Sequence, residues 1–394
     1  MDFDFDLYSR ETAQNPWPAV KAMQEAGPVL RNVRTDAYIV TTDKLARTVL
    51  TDTSRFTIEG NISAIRFGPE AFFVIDDKAR HDQLRSIWMG AFTRNTLEAL
   101  RPMITQLADE MLDPIEERLR AGEVVDLEKE LCRSLPAYVI AHMMGVPKSY
   151  RDDVVRWSDE LGAAAVLPSN ASKETDPTWI RAHKAREEIG VYLAEAIAHR
   201  RKNPGGTDLI SQIVHSKHDL PDNVIISNSR QMLYAGNETT AKWLGHIAVA
   251  LAQRPDVRQE IIDAPKLMPQ ALEEVMRWTP VVMTSVRTVL PGGAEIEGVE
   301  IPEGANILPM VACANRDPAR YEDPDTLNIH RKFQTNLGFG FGMHSCLGVT
   351  LARLETAIVI ERLLARIPNY QLAGEVIYNA FTLRGPKVLP IALH

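Results

Sequence analysis

The segment Leu337–Glu355, LGFGFGMHSCLGVTLARLE, sets Cys346 among glycines in a chain with only three cysteines. Leu347, Leu351, Leu354 and Ile358 then recur at spacings of four, three and four, which makes one apolar helical face and predicts a helix that starts at Cys346. At such an end the free backbone N–H groups and the positive pole of the dipole lower a thiol's pKa and favour the thiolate. Gly340, Gly342 and Gly348 carry no Cβ, so the backbone there can lie flat against a large planar group. A thiolate beneath a flat ring is what a cysteine-ligated haem requires. A lone cysteine, taken without its surroundings, is more often a small buried hydrophobe beside a turn.

A second chemical group lies upstream. The apolar helical pattern Asn223–Pro255 is interrupted by Gly236-Asn237-Glu238-Thr239-Thr240. An acid and hydroxyls inside a buried helix cost free energy unless they are partnered. A third group is Glu274 and Arg277 in ALEEVMRWTP, spaced i, i+3 and therefore on one helical face.

The elements that position these groups are mostly helical, as in Leu97–Gly122 and Asp153–Ala165. Strand-like runs occur at Ala37–Thr42, around Glu295–Gly304 and at Lys387–His394, giving a mainly α chain with small β-sheets, an α+β reading. Leu167–Pro177, Arg201–Asp208 and Phe56–Phe73 read as loops. No repeat, low-complexity tract or interdomain linker interrupts the 394 residues, so residues 1–394 are expected to form a single domain. The hydrophobic share of 45% suffices for a large core. The net charge of -8 is spread without basic blocks, which argues against nucleic acid. The acidic N-terminus MDFDFDLYSRET and the lack of a membrane-length apolar run point to a cytoplasmic protein away from membranes. Three dispersed cysteines form neither a disulfide framework nor a CxxC metal site, so a metal bound at Cys346 has no second protein ligand.

Phe339-x-x-Gly342-x-x-x-Cys346-x-Gly348 resembles the haem-ligand signature of the cytochrome P450 family. Further stretches match in the family's order over most of residues 76–394. The resemblance implies a helix-rich P450-like fold with haem b between a long distal helix and a proximal cysteine-loop helix. It makes Cys346 the iron ligand, Phe339 and Gly340 part of its seat, and His81, Arg85, Arg287 and His344 the holders of the haem propionates. Glu238 and Thr239 match the distal acid–alcohol pair, which relays protons to bound dioxygen. Glu274 and Arg277, with Arg331, match a structural lock on the cysteine loop. Two departures stand out: Asp77-Lys78-Ala79 replaces a proline-bearing turn, and Asn336 stands where the family often has histidine.

The implied activity is insertion of one oxygen atom of O2 into a small, largely apolar or aromatic substrate, by hydroxylation, with epoxidation and O-dealkylation as the further outcomes open to it. With no flavin or nicotinamide segment in the chain, electrons are expected from a separate ferredoxin and its NAD(P)H reductase, and the enzyme is expected to be a monomer. Phe56–Phe73, the connection around Leu167, the distal helix N-terminal to Gly236, Val281–Val286 and Ala380–Phe381 are the expected substrate contacts, with Arg66 a candidate for a substrate carboxylate. His330, Arg331 and Lys332, with Arg80 and Arg85, are candidates for a ferredoxin face. The alternatives are a peroxide-using haem-thiolate enzyme, a haem carrier or sensor, and a cysteine hydrolase using Cys346 and His344, for which no orienting acid is evident.

Overall fold

The longest apolar stretch of the chain folds as one helix of 32 residues, Asp222–Gln253 (the distal helix), in a computed structural model that describes residues 1–60, 66–164, 167 and 175–393. It is buried on nearly every side from Val224 to Leu251, as befits a helix with no sustained polar face. Helices Ser134–Met143, Arg151–Ala164, Pro177–Lys202 and Val349–Arg366 (the proximal helix) pack around it. Gly236 permits the closest of these approaches, because a Cβ there would come within 2.7 Å of Ile140 Cγ1.

The proximal helix buries Leu351, Leu354 and Ile358 as their spacing predicts, but it starts at Val349 rather than Cys346. The Cys346 N–H is already donated to Phe339 O at 2.9 Å, which draws the cysteine into the preceding loop; Gly348 O is the first helical acceptor, from Ala352 N.

Small sheets flank the helices. The six-stranded sheet runs Asp2–Phe3, Val29–Asn32, Ala37–Val40, Asn306–Pro309, Arg287–Val289, Phe56–Thr57, with Tyr38 opposite Ile307 and Arg287 opposite Ile307 on the other side. The expected turn in Glu295–Gly304 is a hairpin of Ala294–Ile296 and Val299–Ile301, closed by Glu297 and Gly298 at φ 50° and 76°. The C-terminal run becomes two strands, Pro386–Val388 and Pro390–Leu393.

Glu274 is the hub beneath the cysteine loop. Its carboxylate accepts two bonds from Arg277 at 2.7 and 2.8 Å, one from Arg331 Nε at 3.2 Å and one from Asn328 N at 3.0 Å. Arg277 also donates to Asn315 O, Pro324 O and Thr326 O, while Arg331 donates to Glu322 O, Asp323 O and Thr326 O. Two cations and one anion thus fold the irregular segment 315–331 onto helix Met268–Trp278. Removing one member strands a buried charge. Arg277→Met is expected to cost about 3–5 kcal/mol of stability, read by urea denaturation.

Glu128, in the short π-helical turn Glu128–Cys132 that packs on the distal helix, is a second buried acid. Desolvation pushes its carboxyl up to about 7 against the opposing pull of Lys387, Arg133 and Lys242. The folded protein therefore holds a proton that the unfolded chain releases near 4.5, so this group's contribution to stability is complete below that pH and is lost as pH rises through about 7. Glu128→Gln is expected to flatten the stability profile between those values, with a gain on the order of 2–3 kcal/mol at pH 8 measured by thermal unfolding.

Candidate active site

The cysteine loop is closed by its own backbone. Gly340 N–H donates to Leu337 O, Ser345 N–H to Gly342 O and Cys346 N–H to Phe339 O. Gly340 adopts φ 72°, a left-handed conformation that a residue with Cβ adopts only with strain. Glycine here therefore answers a turn requirement as well as leaving the loop surface bare. Asn336, the departure noted above, accepts the Gly338 N–H at 2.8 Å and so completes the turn with its own side chain. Phe339 lies edge-on to Trp243 of the distal helix, ring centroids 5.3 Å apart, with the Arg353 guanidinium over its other contact at 5.3 Å.

Cys346 keeps accessible surface, whereas Cys132 and Cys313 are buried. Its thiol is nonetheless pushed above the usual range, not below it as a helix-terminal position predicts. Desolvation by the surrounding protein outweighs the Gly348 backbone N–H and the charges of Arg85 and Arg353, which favour the thiolate. The group lies before the helix rather than on its first turn, which is why the dipole does not prevail.

The predicted propionate holders come together from three elements. Asp77 caps helix Lys78–Met89 by accepting the Arg80 N–H at 2.7 Å, restoring the rigidity that the missing proline turn would give. His81 and Arg85 lie one turn apart on that helix. The His81 ring stands 5.2 Å from the His344 ring, nearly perpendicular. His344 Nε2 bonds Asp76 Oδ1 at 3.1 Å, and His81 Nδ1 bonds Asp82 Oδ1 at 3.0 Å. The other nitrogens, His81 Nε2 and His344 Nδ1, are buried without a partner. Arg287 is buried, bonds only Ser285 Oγ and Val286 O, and is lowered to about 10 by desolvation, with Asp76 pulling the other way. Desolvation likewise lowers Arg85, while Cys346 and Asp82 favour its charge. Two orphaned imidazole nitrogens and two desolvated guanidiniums, none of them in a carboxylate ion pair apart from the His contacts named, fit the two carboxylates of a haem. No cluster of three or more metal-ligating side chains exists among the described residues.

On the opposite side, the distal helix leaves Ala235 accessible although its neighbours Tyr234 and Asn237 are buried. Thr239 Oγ1 donates to Ala235 O at 3.0 Å, the back-bond that loosens a helix at this turn. Glu238 is paired with Lys242 Nζ at 2.6 Å, one turn on. Lys242 is desolvated, yet Glu238 raises its pKa. The acid–alcohol pair is therefore present, and its acid already has a cation.

Several sequence expectations change. Met283 and Phe381 have next to no accessible surface and pack with Phe5, Leu30 and Ile39, so they are core residues; Val281 is likewise buried. Within Phe56–Phe73, residues 61–65 lie outside the described residues, as do 165–166 and 168–174 near Leu167. The basic face dissolves: His330 pairs with Glu260, Arg331 with Glu274 and Arg80 with Glu70, leaving exposed Lys332. Sequence reading missed Asp76, which holds His344 and whose carboxyl stays below its usual range: desolvation raises it, but bonds from His344, Thr57 and Ile58 prevail. It also missed Lys242, for which the i, i+4 spacing from Glu238 was a usable signal.

A glycine-bearing loop that presents one cysteine, a long distal helix back-bonded at Thr239, and two desolvated arginines beside two imidazoles with unpartnered nitrogens fit the haem-thiolate class. The chain belongs to the cytochrome P450 family, whose model matches residues 7–367. It is 32% identical over 389 residues to the mycinamicin IV hydroxylase/epoxidase of Micromonospora griseorubida, covering 94% of this chain and 93% of that protein. It is 31% identical to the vitamin D(3) 25-hydroxylase of Pseudonocardia autotrophica, covering 98% and 96%. The solved structure of P450BioI in complex with acyl carrier protein ligated to hexadec-9Z-enoic acid superimposes with a TM-score of 0.88 at 25% identity, over 98% of this chain and all of that one. The chain is thus a haem b oxidoreductase of the monooxygenase type that uses a cysteine thiolate ligand, dioxygen and redox partners. No helix among the described residues is long and apolar enough to cross a membrane.

If Cys346 is that ligand, iodoacetamide should alkylate it alone of the three cysteines in haem-free protein, slowly below pH 9, and added haem should block the reaction. Peptide mass mapping reads the outcome.

Proposed function

We propose that Cys346 is the iron ligand, that Phe339 and Gly340 shape its seat, and that His81, Arg85, Arg287 and His344 receive the propionates. Glu238 and Thr239 then serve proton delivery during insertion of one oxygen atom into a largely apolar or aromatic substrate. Residues 1–394 act as one catalytic domain, with electrons from a ferredoxin and its reductase. The observation that carries this reading is the Thr239–Glu238–Lys242 arrangement beside accessible Ala235: a peroxide-using enzyme has no need of a hydroxyl and a paired carboxylate there. The relatives described above, which act on mycinamicin IV and vitamin D(3), support an apolar substrate.

Bound haem supplies dioxygen activation and C–H oxidation. The chain's own residues do the rest. Thr239 Oγ1 holds a proton one turn from Ala235 and releases it by giving up its bond to Ala235 O. The Glu238 carboxylate, kept in place by Lys242, accepts a proton from the protein side and returns it to Thr239. Arg85 and Arg353 place positive charge near the Cys346 sulfur and favour its thiolate. The packed helices around the distal helix keep bulk water from the reacting carbon.

The reduced, carbon monoxide-treated protein should show the red-shifted Soret band of thiolate ligation; its absence with haem bound rejects Cys346. In Thr239→Ala, product should fall about 10- to 100-fold while reductant is still consumed and hydrogen peroxide accumulates. Full turnover of the parent protein on added peroxide without reductant would favour the peroxide-using alternative.

A further inference from the structure

Beyond the haem side, the distal helix carries a second concentration of cations near the substrate side of Ala235. Arg230 is 6% exposed. Its Nη1 donates to Phe67 O at 2.9 Å, its Nε has no partner, and its Nη2 lies 3.2 Å from where a Cβ of Gly190 would stand. Gly190 belongs to helix Pro177–Lys202, and Arg186 occupies the same face of that helix one turn earlier. Arg186 is half-buried, and its Nε too is buried without a partner. Desolvation and, after it, the Arg186 charge lower Arg230 to about 10. Arg66 stands nearby: it donates to Tyr234 OH at 3.1 Å, Tyr234 lies one turn after Arg230, and the Phe67 ring stacks on Tyr234 at 5.3 Å.

The Arg186 charge thus reaches the Arg230 guanidinium, which lies between the distal helix, helix Pro177–Lys202 and Phe67, and no described carboxylate forms an ion pair with either arginine. Burying cations that repel each other is costly, and an evolved fold retains such an arrangement where something anionic relieves it. Gly190 lets the Arg230 guanidinium come close: a Cβ there would press on Nη2 at 3.2 Å and require it to shift by a few tenths of an ångström. A planar guanidinium with a free Nε–H also offers the fork that matches a carboxylate. The two ion-paired acids of the distal helix, Asp222 and Glu238, are already taken by Arg201 and Lys242.

We propose that Arg186 and Arg230 form an anion subsite for the carboxylate of an extended, otherwise apolar substrate. This rests on the monooxygenase reading for what happens to the bound molecule, but not for its binding. Arg230 precedes Ala235 by five residues, an axial rise of about 8 Å. The reacting carbon therefore lies several bonds from the carboxylate, and oxygen enters the distal part of the chain rather than beside the acid.

The test uses the haem-loaded protein without reductant, titrated calorimetrically with dodecanoate, methyl dodecanoate and dodecyl phosphate. Dodecanoate should bind at least about 10-fold more tightly than its methyl ester, and Arg186→Ala should remove that preference while ester binding persists. Arg186→Glu should also abolish the preference and, by supplying Arg230 with an internal counter-ion, raise the thermal midpoint of the free protein. Equal affinity for acid and ester overturns the proposal, as does a lowered midpoint in Arg186→Glu. Tighter binding of dodecyl phosphate than of dodecanoate overturns the assignment to a carboxylate. Because turnover is not involved, failure of the monooxygenase reading shows separately, in the carbon monoxide spectrum. With reductant present, hydroxylation of dodecanoate at carbons 2 or 3 would contradict the placement of the subsite.

Discussion

A single buried carboxylate, Glu274, determines where the cysteine loop can sit. Segment 315–331 has almost no regular structure of its own, so its backbone carbonyls must find donors elsewhere. Arg277 and Arg331 provide them, and both are held by Glu274. The charges balance only as a trio: each arginine spends its remaining N–H groups on carbonyls, and the acid neutralises part of the desolvated positive charge. This is a costly way to stabilise a protein and a good way to define one geometry, since any other path for the segment strands a charge. Loop closure through Leu337, Gly340 and Cys346 inherits that geometry, and the position of the thiol follows from it.

The electrostatics above the loop have the opposite character. Arg85, Arg287, His81 and His344 are gathered and desolvated without enough negative charge to satisfy them. Asp76 and Asp82 each anchor one imidazole nitrogen and leave the other free. The polypeptide is thus complete in its apolar core and incomplete in its charges, and one concentration of that incompleteness is the face proposed to meet the anionic edge of the cofactor. The same physics recurs at Arg186 and Arg230, on the far side of the distal helix turn.

Between these regions the distal helix combines two demands. Its length and apolar surface make it the core around which four helices pack, while the turn at 235–239 is weakened by the Thr239 back-bond. Gly236 allows the Ser134–Met143 helix to approach that weak turn and support it from behind. A rigid helix with one softened turn can hold a hydroxyl and a carboxylate in place without ordering a flexible loop to do so.

Residue type and spacing, taken together with the family resemblance, made Cys346, the Glu238-Thr239 pair and the Glu274-Arg277 pair legible, because each motif is contained within one helical turn or one loop. The helix-rich α+β class was legible for the same reason: periodicity is a local property. Tertiary structure decided what depends on contacts between distant segments. It moved the start of the proximal helix to Val349, since the Cys346 N–H is claimed by a carbonyl seven residues back. It raised the thiol's pKa, because desolvation is set by everything packed around the sulfur and not by the nearest helix end. It placed Met283 and Phe381 in the core, joined His344 to Asp76 across 268 residues, and set the Arg186 charge within electrostatic reach of Arg230. A sequence states which charges a chain carries, but only the fold determines which of them lose their water together.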